Sequence, residues 1–152
     1  MPQPHELSAQ ELLSAYRNKT LSPVEATRSV LDHIERWEPH IHATYALDPE
    51  QALTQARASE ARWMKGEPQA CGGYTLDGVP ATIKENIATR GVPVPLGTAA
   101  TDLTPATADA PPAARMREAG AVVLGKTTMP DYGMLSSGCL LYTSDAADEE
   151  DS

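Results

Sequence analysis

The order of elements in the second half of the chain constrains its fold more than any other feature of the sequence. The β-branched residues at 79–83 predict a short strand, residues 112–119 predict a helix that ends at Gly120, and the apolar residues 121–124 predict a buried strand. Two strands joined by a crossover helix are typical of a parallel sheet. Pro80 has no N–H to donate, so the first strand is expected to be irregular or near an edge. The sequence therefore predicts an α/β arrangement.

Three helix-start signals precede this region. Ser8 and Ser22 each stand three residues before a glutamate, which makes a capping box, and Asp48 is followed at once by proline. Apolar residues then recur at helical spacing, with stop signals at Pro39 for the second helix and at Gly66 for the third. The prediction is an N-terminal helical layer followed by the first strands of a mixed, largely parallel sheet. The four histidines fall within that layer and are interpreted as non-catalytic: His5, His33, His40 and His42.

Composition excludes several classes of protein. Of the 152 residues, 41% are hydrophobic and 22% charged, which fits a globular chain with a real core. No apolar run approaches the roughly 20 residues of a membrane span, and the N-terminus lacks the basic start and apolar stretch of a secretory signal. The two cysteines, Cys71 and Cys139, provide neither a disulfide framework nor metal-ligand spacing. We expect a cytoplasmic protein with no metal, no cofactor and no membrane contact.

The net charge of −9 comes largely from the end of the chain. Residues 139–152 contain five of the 21 acidic residues and no basic one, so the remaining 16 acidic and 12 basic residues leave a charge of −4. That balance argues against direct nucleic-acid binding.

One segment matches a nucleotide-binding motif. Gly120 to Thr127 reads G-x-x-x-x-G-K-T, as in a P-loop. A P-loop needs a strand before the first glycine and a helix that starts at the lysine. Here a charged helical segment precedes Gly120, the residues between the glycines favour a strand, and Pro130 would shorten a following helix. We therefore interpret the match as coincidental.

Lys84 is the strongest candidate for a functional residue. It follows the short strand at 79–83 with few carboxylates nearby in sequence apart from Glu85. Spacing alone favours an ordinary surface lysine at a strand end. A lysine carried into the interior would instead be available as a neutral base, because burial disfavours the charged amine. A long loop rich in proline, residues 91–112, follows and is expected to be ordered.

The combined pattern decides between these interpretations. The ordered motifs are Leu76-Asp-Gly-Val-Pro-Ala-Thr-Ile-Lys84-Glu-Asn-Ile, Gly91-Val-Pro-Val-Pro-Leu-Gly97-Thr98, Asp109-Ala-Pro, and Arg115-Met-Arg-Glu-Ala-Gly-Ala-Val-Val-Leu-Gly-Lys126-Thr-Thr-Met-Pro130-Asp-Tyr. Their succession, with Leu21-Ser-Pro-Val-Glu25 before them, resembles the first third of the amidase signature family. The resemblance covers about residues 6–138.

The resemblance implies a Ser–cis-Ser–Lys triad that hydrolyses a linear amide through an acyl-enzyme, with Lys84 as the base. It implies that Lys84 is buried, hydrogen-bonded and uncharged when active. Glu85 stands where the family usually has Asp. Lys126 ends the next strand and is expected to be structural, whereas Gly133 and Met134 resemble a segment that lines the substrate pocket.

The resemblance stops at Gly138, before the Gly/Ser-rich stretch that carries both serines in the family. Ser136 and Ser137 do not belong to that stretch. We divide the chain into residues 1–70 as the helical layer, 71–138 as the first part of the α/β core, and 139–152 as a non-native-looking acidic tail. The truncated sheet would expose apolar surface, so we expect the 152-residue chain alone to be marginally stable or to aggregate, and to be inactive.

Three functions remain open at this point. The first is an amidase with a small-molecule amide substrate. The second is the amidase subunit of a glutamine-dependent tRNA amidotransferase, and the third is a non-catalytic interaction module. A homodimer of the full-length protein is compatible with the amidase function.

Overall fold

A small mixed sheet with helices on both faces forms the centre of the structure. The computed structural model describes residues 2–134. Its helices and strands are, in chain order, α1 (Ala9–Arg17), α2 (Pro23–Ile41), β1 (Thr44–Tyr45), α3 (Pro49–Lys65), β2 (Pro80–Lys84), α4 (Pro111–Glu118) and β3 (Val122–Thr127). Two short 3₁₀ helices, Pro4–Glu6 and Asp131–Gly133, lie near the two ends of this region.

The helix-start signals act as the sequence predicts. The side chains of Ser8 and Ser22 accept hydrogen bonds from the N–H groups three residues on, and both capping boxes are complete. Asp48 caps α3, which ends at Gly66 in the left-handed conformation with φ 77°. The predicted end of α2 at Pro39 is wrong by two residues. Because Pro39 lies in the last turn, its missing N–H does not prevent the helix from continuing to Ile41.

The sheet confirms the predicted parallel pairing. Its strand order is β1-β3-β2, with β2 parallel to β3 and β1 antiparallel to it. Pro80 lies on an edge strand whose register shifts between Ala81 and Thr82, so the expected irregularity is confirmed. The predicted strand at 79–83 lies one residue too early, and the strand predicted at 121–124 extends to Thr127. With only two residues, β1 is too short to give a sequence pattern.

Alternating side chains of β3 join the two helical layers. Val122 and Leu124 pack with α2 and α3, in a cluster that includes Leu31 and Ala56. Val123 faces the opposite side, where it packs with Ile83 of β2 and with α4. The strand buried on both faces therefore holds the N-terminal helices and the crossover helix α4 around one sheet.

The long loop is ordered by backbone hydrogen bonds. The N–H of Gly91 donates to Ala106 at 2.8 Å, and the N–H of Ala106 donates back to Val92 at 3.1 Å. The helix after the loop, α4, starts at Pro111, one residue earlier than expected. Within residues 2–134, no helix is both long and apolar enough to cross a membrane.

Candidate active site

Lys84 lies at the carboxyl end of β2. It is the last residue of that strand, and it pairs in register with Thr127 of β3. Its side chain is exposed. The expected burial of Lys84 is therefore wrong for this structure: Lys84 points to the same face of β2 as the exposed Thr82, and the described residues leave this end of that face uncovered. The exposed amine is available to whatever packs against that face.

The amino end of the same strand is held by a buried carboxylate. Asp77 is fully buried and forms a two-pronged ion pair with the Arg62 guanidinium, with a distance of 2.9 Å from Nε to Oδ2. The N–H of Gln69 donates to the same carboxylate at 2.8 Å. The hydrogen bond that the guanidinium donates to the Asp77 carboxylate is the largest cause that raises the pKa of Arg62. This network ties α3 to the segment that enters β2.

Two aromatic side chains hold the backbone next to this carboxylate. The indole N–H of Trp63 donates to the carbonyl of Asp77 at 3.0 Å, and the hydroxyl of Tyr16 donates to the carbonyl of Gly78 at 3.0 Å. Tyr16 is buried, and desolvation raises its pKa above the ordinary range. The start of β2 is therefore positioned by α1 and α3 together.

Two buried charges lie at the carboxyl end of the sheet. Glu85, directly after Lys84, is 3% exposed, and Lys126 of β3 is 1% exposed. The Oε1 atom of Glu85 accepts a hydrogen bond from the N–H of Gly97 at 2.6 Å. The Nζ of Lys126 has no hydrogen-bond partner among the described residues. Burial lowers the pKa of Lys126, and the charge of Glu85 partly opposes that lowering.

Sequence reasoning missed the burial of Glu85. It treated the residue only as a mild departure from the family pattern, and it assigned Lys126 a structural role. The one available signal in the sequence was that Glu85 and Lys126, which carry opposite charges, each lie at the carboxyl end of a different predicted strand. Since such ends meet at one edge of a parallel sheet, the two were candidates for a charge pair. The charge of Glu85 also adds to burial in raising the pKa of Tyr45.

A strained turn connects Glu85 to the segment after β3. Leu96 and Gly97 both have positive φ, at 57° and 72°. The carbonyl of Leu96 accepts a hydrogen bond from the N–H of Tyr132 at 2.8 Å, while a Cβ on Gly97 would lie 2.5 Å from the carbonyl oxygen of Met129. Only glycine fits such a close approach of two backbones. The turn is therefore packed between Glu85 and the residues that follow β3.

The predicted pocket residues lie in that segment. Gly133 ends the 3₁₀ helix Asp131–Gly133, and Met134 follows it with 85% of its surface exposed. No hydrogen bond joins either residue to Lys84 within residues 2–134. They are connected to the site by the turn at Leu96 and Gly97, which hydrogen-bonds to Tyr132 on one side and to Glu85 on the other. Ser136 and Ser137, which were not expected to be the catalytic serines, and the predicted tail at 139–152 lie outside the described residues.

The P-loop resemblance has no structural counterpart. Gly120 follows the C-terminal end of α4, and residues 122–127 form a strand that contains Lys126 and Thr127. A phosphate-binding loop would need those two residues at the start of a helix. In the part of the chain that the structure describes, no group of three or more His, Cys, Asp or Glu side chains is arranged to hold a metal ion.

The sequence model of the amidase family matches residues 25–143, more than three quarters of the chain. The chain belongs to the amidase signature family. It is 35% identical over 133 residues to a glutamyl-tRNA(Gln) amidotransferase subunit from Coxiella burnetii, and the match covers 88% of this chain and 26% of that protein. The corresponding protein of Geobacter metallireducens is 33% identical over the same share of each chain.

Solved structures of the same family share the fold. A bacterial aryl acylamidase of the amidase signature family is 31% identical, with a TM-score of 0.76 over 87% of this chain and 27% of the other. The peptide amidase of Stenotrophomonas maltophilia is 26% identical, with a TM-score of 0.74 over 86% of this chain and 26% of its own. The predicted family and α/β fold are thereby confirmed. The chain spans about a quarter of the length of these relatives.

Proposed function

We propose that this segment belongs to a longer amidase that hydrolyses a linear amide C–N bond to a carboxylate and ammonia or an amine. The single observation that carries the proposal is the position of Lys84, which ends a parallel edge strand, within a chain of the amidase signature family. We call that longer polypeptide the full-length protein.

In this proposal Lys84 is the base of a Ser–cis-Ser–Lys triad. The neutral amine takes a proton, relayed by the cis-serine, from the nucleophilic serine as that serine attacks the amide carbonyl. The exposed side of β2 is where the parts of the protein that carry the serines would pack. That packing would remove water from Lys84 and so favour its neutral form. Gly133 and Met134 are proposed to line the substrate pocket.

The test is amide hydrolysis by the full-length protein on a panel of aliphatic, aryl and peptide amides, measured as released ammonia or amine. Lys84→Ala is expected to lower kcat at least about 100-fold, the usual contribution of a positioned acid–base group. The matched control is Lys65→Ala, which removes an exposed lysine from the last turn of α3. Full activity of Lys84→Ala, with the wild-type protein active, would refute the assignment.

A second function is supported by the relatives. The two relatives from Coxiella and Geobacter are both named as subunits of a glutamyl-tRNA(Gln) amidotransferase. In that case the amide would be glutamine, and the ammonia would be passed on within a complex of several proteins. Co-purification of the tagged full-length protein with partner proteins, together with glutaminase activity that depends on them, would favour this function. Hydrolysis of several amides by the isolated protein would favour the first.

We further propose that the 152-residue chain by itself has no amidase activity. Its sequence contains Lys84 but no Gly/Ser-rich stretch with two serines of the kind that the triad needs. Amide hydrolysis by the purified 152-residue chain, abolished by Lys84→Ala, would contradict this proposal. A stable monomer with a defined binding partner and no activity would instead support the non-catalytic interaction module.

The proposed setting of the full-length protein is the cytoplasm, with no direct contact to nucleic acid. The charge of −4 outside residues 139–152 supports the second part of this proposal, because a nucleic-acid surface would be expected to carry an excess of basic residues. Retention of the protein on immobilised tRNA at physiological salt, in the absence of partners, would contradict it.

A further inference from the structure

The buried charges of the described region sort into two groups. Asp77, Glu85 and Lys126 are the ionisable Asp, Glu, Lys or Arg side chains buried among residues 2–134. Asp77 is neutralised by its ion pair with Arg62. Glu85 and Lys126 have no such partner within the described region, and their charges are opposite. Because an isolated buried charge is costly, each of the two is expected to depend on the other.

The sheet register brings these two residues to the same place. Lys126 pairs with Ile83 of β2 and with Tyr45 of β1, and Glu85 follows Ile83 by two residues. Glu85 is the first residue of the turn that follows the strand, directly after Lys84, and Lys84 pairs with Thr127, the chain neighbour of Lys126. The N–H of Glu85 donates to the carbonyl of Thr127 at 3.0 Å, so the pairing of the two strands continues to Glu85 itself.

The effect of Glu85 on its surroundings supports this placement. Burial and, to a smaller extent, the charge of Glu85 raise the pKa of Tyr45, and the same charge opposes the lowering of the pKa of Lys126 by burial. Both effects are consistent with a carboxylate that lies near the two side chains. Lys126 is also one of the residues that line a cavity of about 490 Å³, together with residues 89–93 of the loop that leaves the end of β2.

Glu85 also holds the loop against the end of the strand. Its carboxylate accepts the N–H of Gly97 at 2.6 Å, and Gly97 is packed against the backbone of Met129 and Pro130. A single side chain next to Lys84 thus connects β2, the loop and the segment after β3. A shift of Glu85 would move the Lys84 backbone, since the two residues are adjacent.

We propose that Glu85 is a positioning residue for Lys84, held by the Gly97 N–H on one side and balanced by the buried Lys126 ammonium on the other. The catalytic part of this proposal rests on the proposed amidase function. The electrostatic part, that Glu85 and Lys126 are energetically coupled, does not depend on it.

The coupling is tested by urea unfolding of the full-length protein in a double-mutant cycle with Glu85→Gln and Lys126→Met. Each single variant is expected to lower the ratio of folded to unfolded protein about 100-fold, because it leaves one buried charge uncompensated. The double variant is expected to lose no more than either single one. Additive effects of the two substitutions would overturn the proposed pair.

The positioning role is tested by kinetics on the same variants. Glu85→Gln is expected to lower kcat about 10-fold to 100-fold with little change in KM, because it misplaces a reacting group without removing a substrate contact. Glu85→Asp, which keeps the charge, is expected to recover part of that kcat. The matched control is Glu67→Gln at an exposed glutamate. Wild-type kcat in Glu85→Gln would overturn the positioning role.

One further measurement tests the positioning role of Glu85 without depending on the proposed amidase function. The rate at which acetic anhydride modifies Lys84 in the folded protein is measured by mass spectrometry in wild type, Glu85→Gln and Glu67→Gln. The proposal predicts an altered rate in Glu85→Gln alone, even if no amide is hydrolysed by the wild-type protein. An unchanged rate, together with additive unfolding effects, would reject the proposal whether or not the protein is an amidase.

Discussion

The two ends of β2 differ in how fully this chain itself provides the contacts that surround them. At the amino end, the buried Asp77 carboxylate, the Trp63 indole and the Tyr16 hydroxyl fix the backbone through partners that all lie in α1, α3 and the adjoining segment. At the carboxyl end, Lys84 is exposed at the sheet edge, and the contacts belong to the neighbouring Glu85. The amino end is therefore fixed by contacts within this chain, and we call these contacts of Asp77, Trp63 and Tyr16 the anchor. The carboxyl end presents a lysine and leaves it uncovered.

This difference shows how a candidate active site is supported in such a fold. The buried hydrogen bonds at the start of the strand are satisfied within this chain. The strand end then carries the reactive group into a place where other parts of a protein can meet it, as is common at the carboxyl ends of parallel strands. The reaction is therefore expected at the carboxyl end of this five-residue strand, whereas the contacts at its amino end are expected to contribute only stability.

The largest loss of stability is expected for Asp77→Ala at the anchor. The substitution leaves the Arg62 guanidinium and the Gln69 N–H without their buried acceptor, at a cost of about 3 kcal/mol. Urea unfolding of the full-length protein measures it. The control is Glu118→Ala, which breaks an exposed ion pair with Arg115 and should have no measurable effect. Equal effects of the two substitutions would contradict the anchor.

A smaller loss of stability than that of Asp77→Ala is expected for Gly97→Ala near the carboxyl end. A methyl group there would lie 2.5 Å from a backbone oxygen in a residue with φ 72°, so the turn must shift, at a cost of about 2 kcal/mol. Gly73→Ala is the matched control, with φ 85° but no atom within 4 Å of the added carbon. It should cost about 1 kcal/mol from backbone strain alone. A smaller loss for Gly97→Ala than for its control would mean that the turn is not tightly packed.

A smaller effect is expected for Tyr16→Phe, which removes one hydroxyl from the anchor. The carbonyl of Gly78 loses its side-chain donor, so the free energy of unfolding should fall by about 1 kcal/mol. Tyr74→Phe alters an 81% exposed ring and should change nothing measurable. Thermal unfolding of both full-length variants separates the two cases. No loss in Tyr16→Phe would show that the hydrogen bond contributes little to this end of β2.

The smallest difference is expected between the rates at which a reagent modifies Lys84 and an ordinary surface lysine in the 152-residue chain. Lys84 and Lys65 are both exposed, whereas Lys126 is buried, so acetic anhydride should modify the first two at similar rates and Lys126 far more slowly. Mass spectrometry of the labelled, folded chain gives the three rates. Protection of Lys84 to the level of Lys126 would contradict the exposed strand end.

Much of the fold could be predicted from local signals. The capped helix starts at Ser8, Ser22 and Asp48 and the parallel pairing of β2 with β3 follow from capping chemistry and hydrophobic pattern, which act over a few residues. The two-residue strand β1 was missed because it exists only through its pairing with β3. The extension of α2 beyond Pro39 was missed because a proline stop is a preference and not a rule in the last turn.

The candidate site was less predictable. The motif succession identified Lys84 and its strand, but its exposure depends on what packs against one face of β2, which no local pattern encodes. The burial of Glu85 and Lys126 depends on the register of two strands and on a loop that returns to cover the strand ends. Both are long-range properties. The assignments of Lys84, Gly133 and Met134 remain predictions.

The most direct test of the central claim is the kcat of Lys84→Arg in the full-length protein, measured beside Lys84→Ala. Arginine keeps the positive charge and much of the length of lysine, but it does not become a neutral base near physiological pH. If Lys84 acts as the base of the triad, both variants lose amide hydrolysis to the same extent. Near wild-type kcat in Lys84→Arg would show that a positive charge, and not a base, is what this strand end provides.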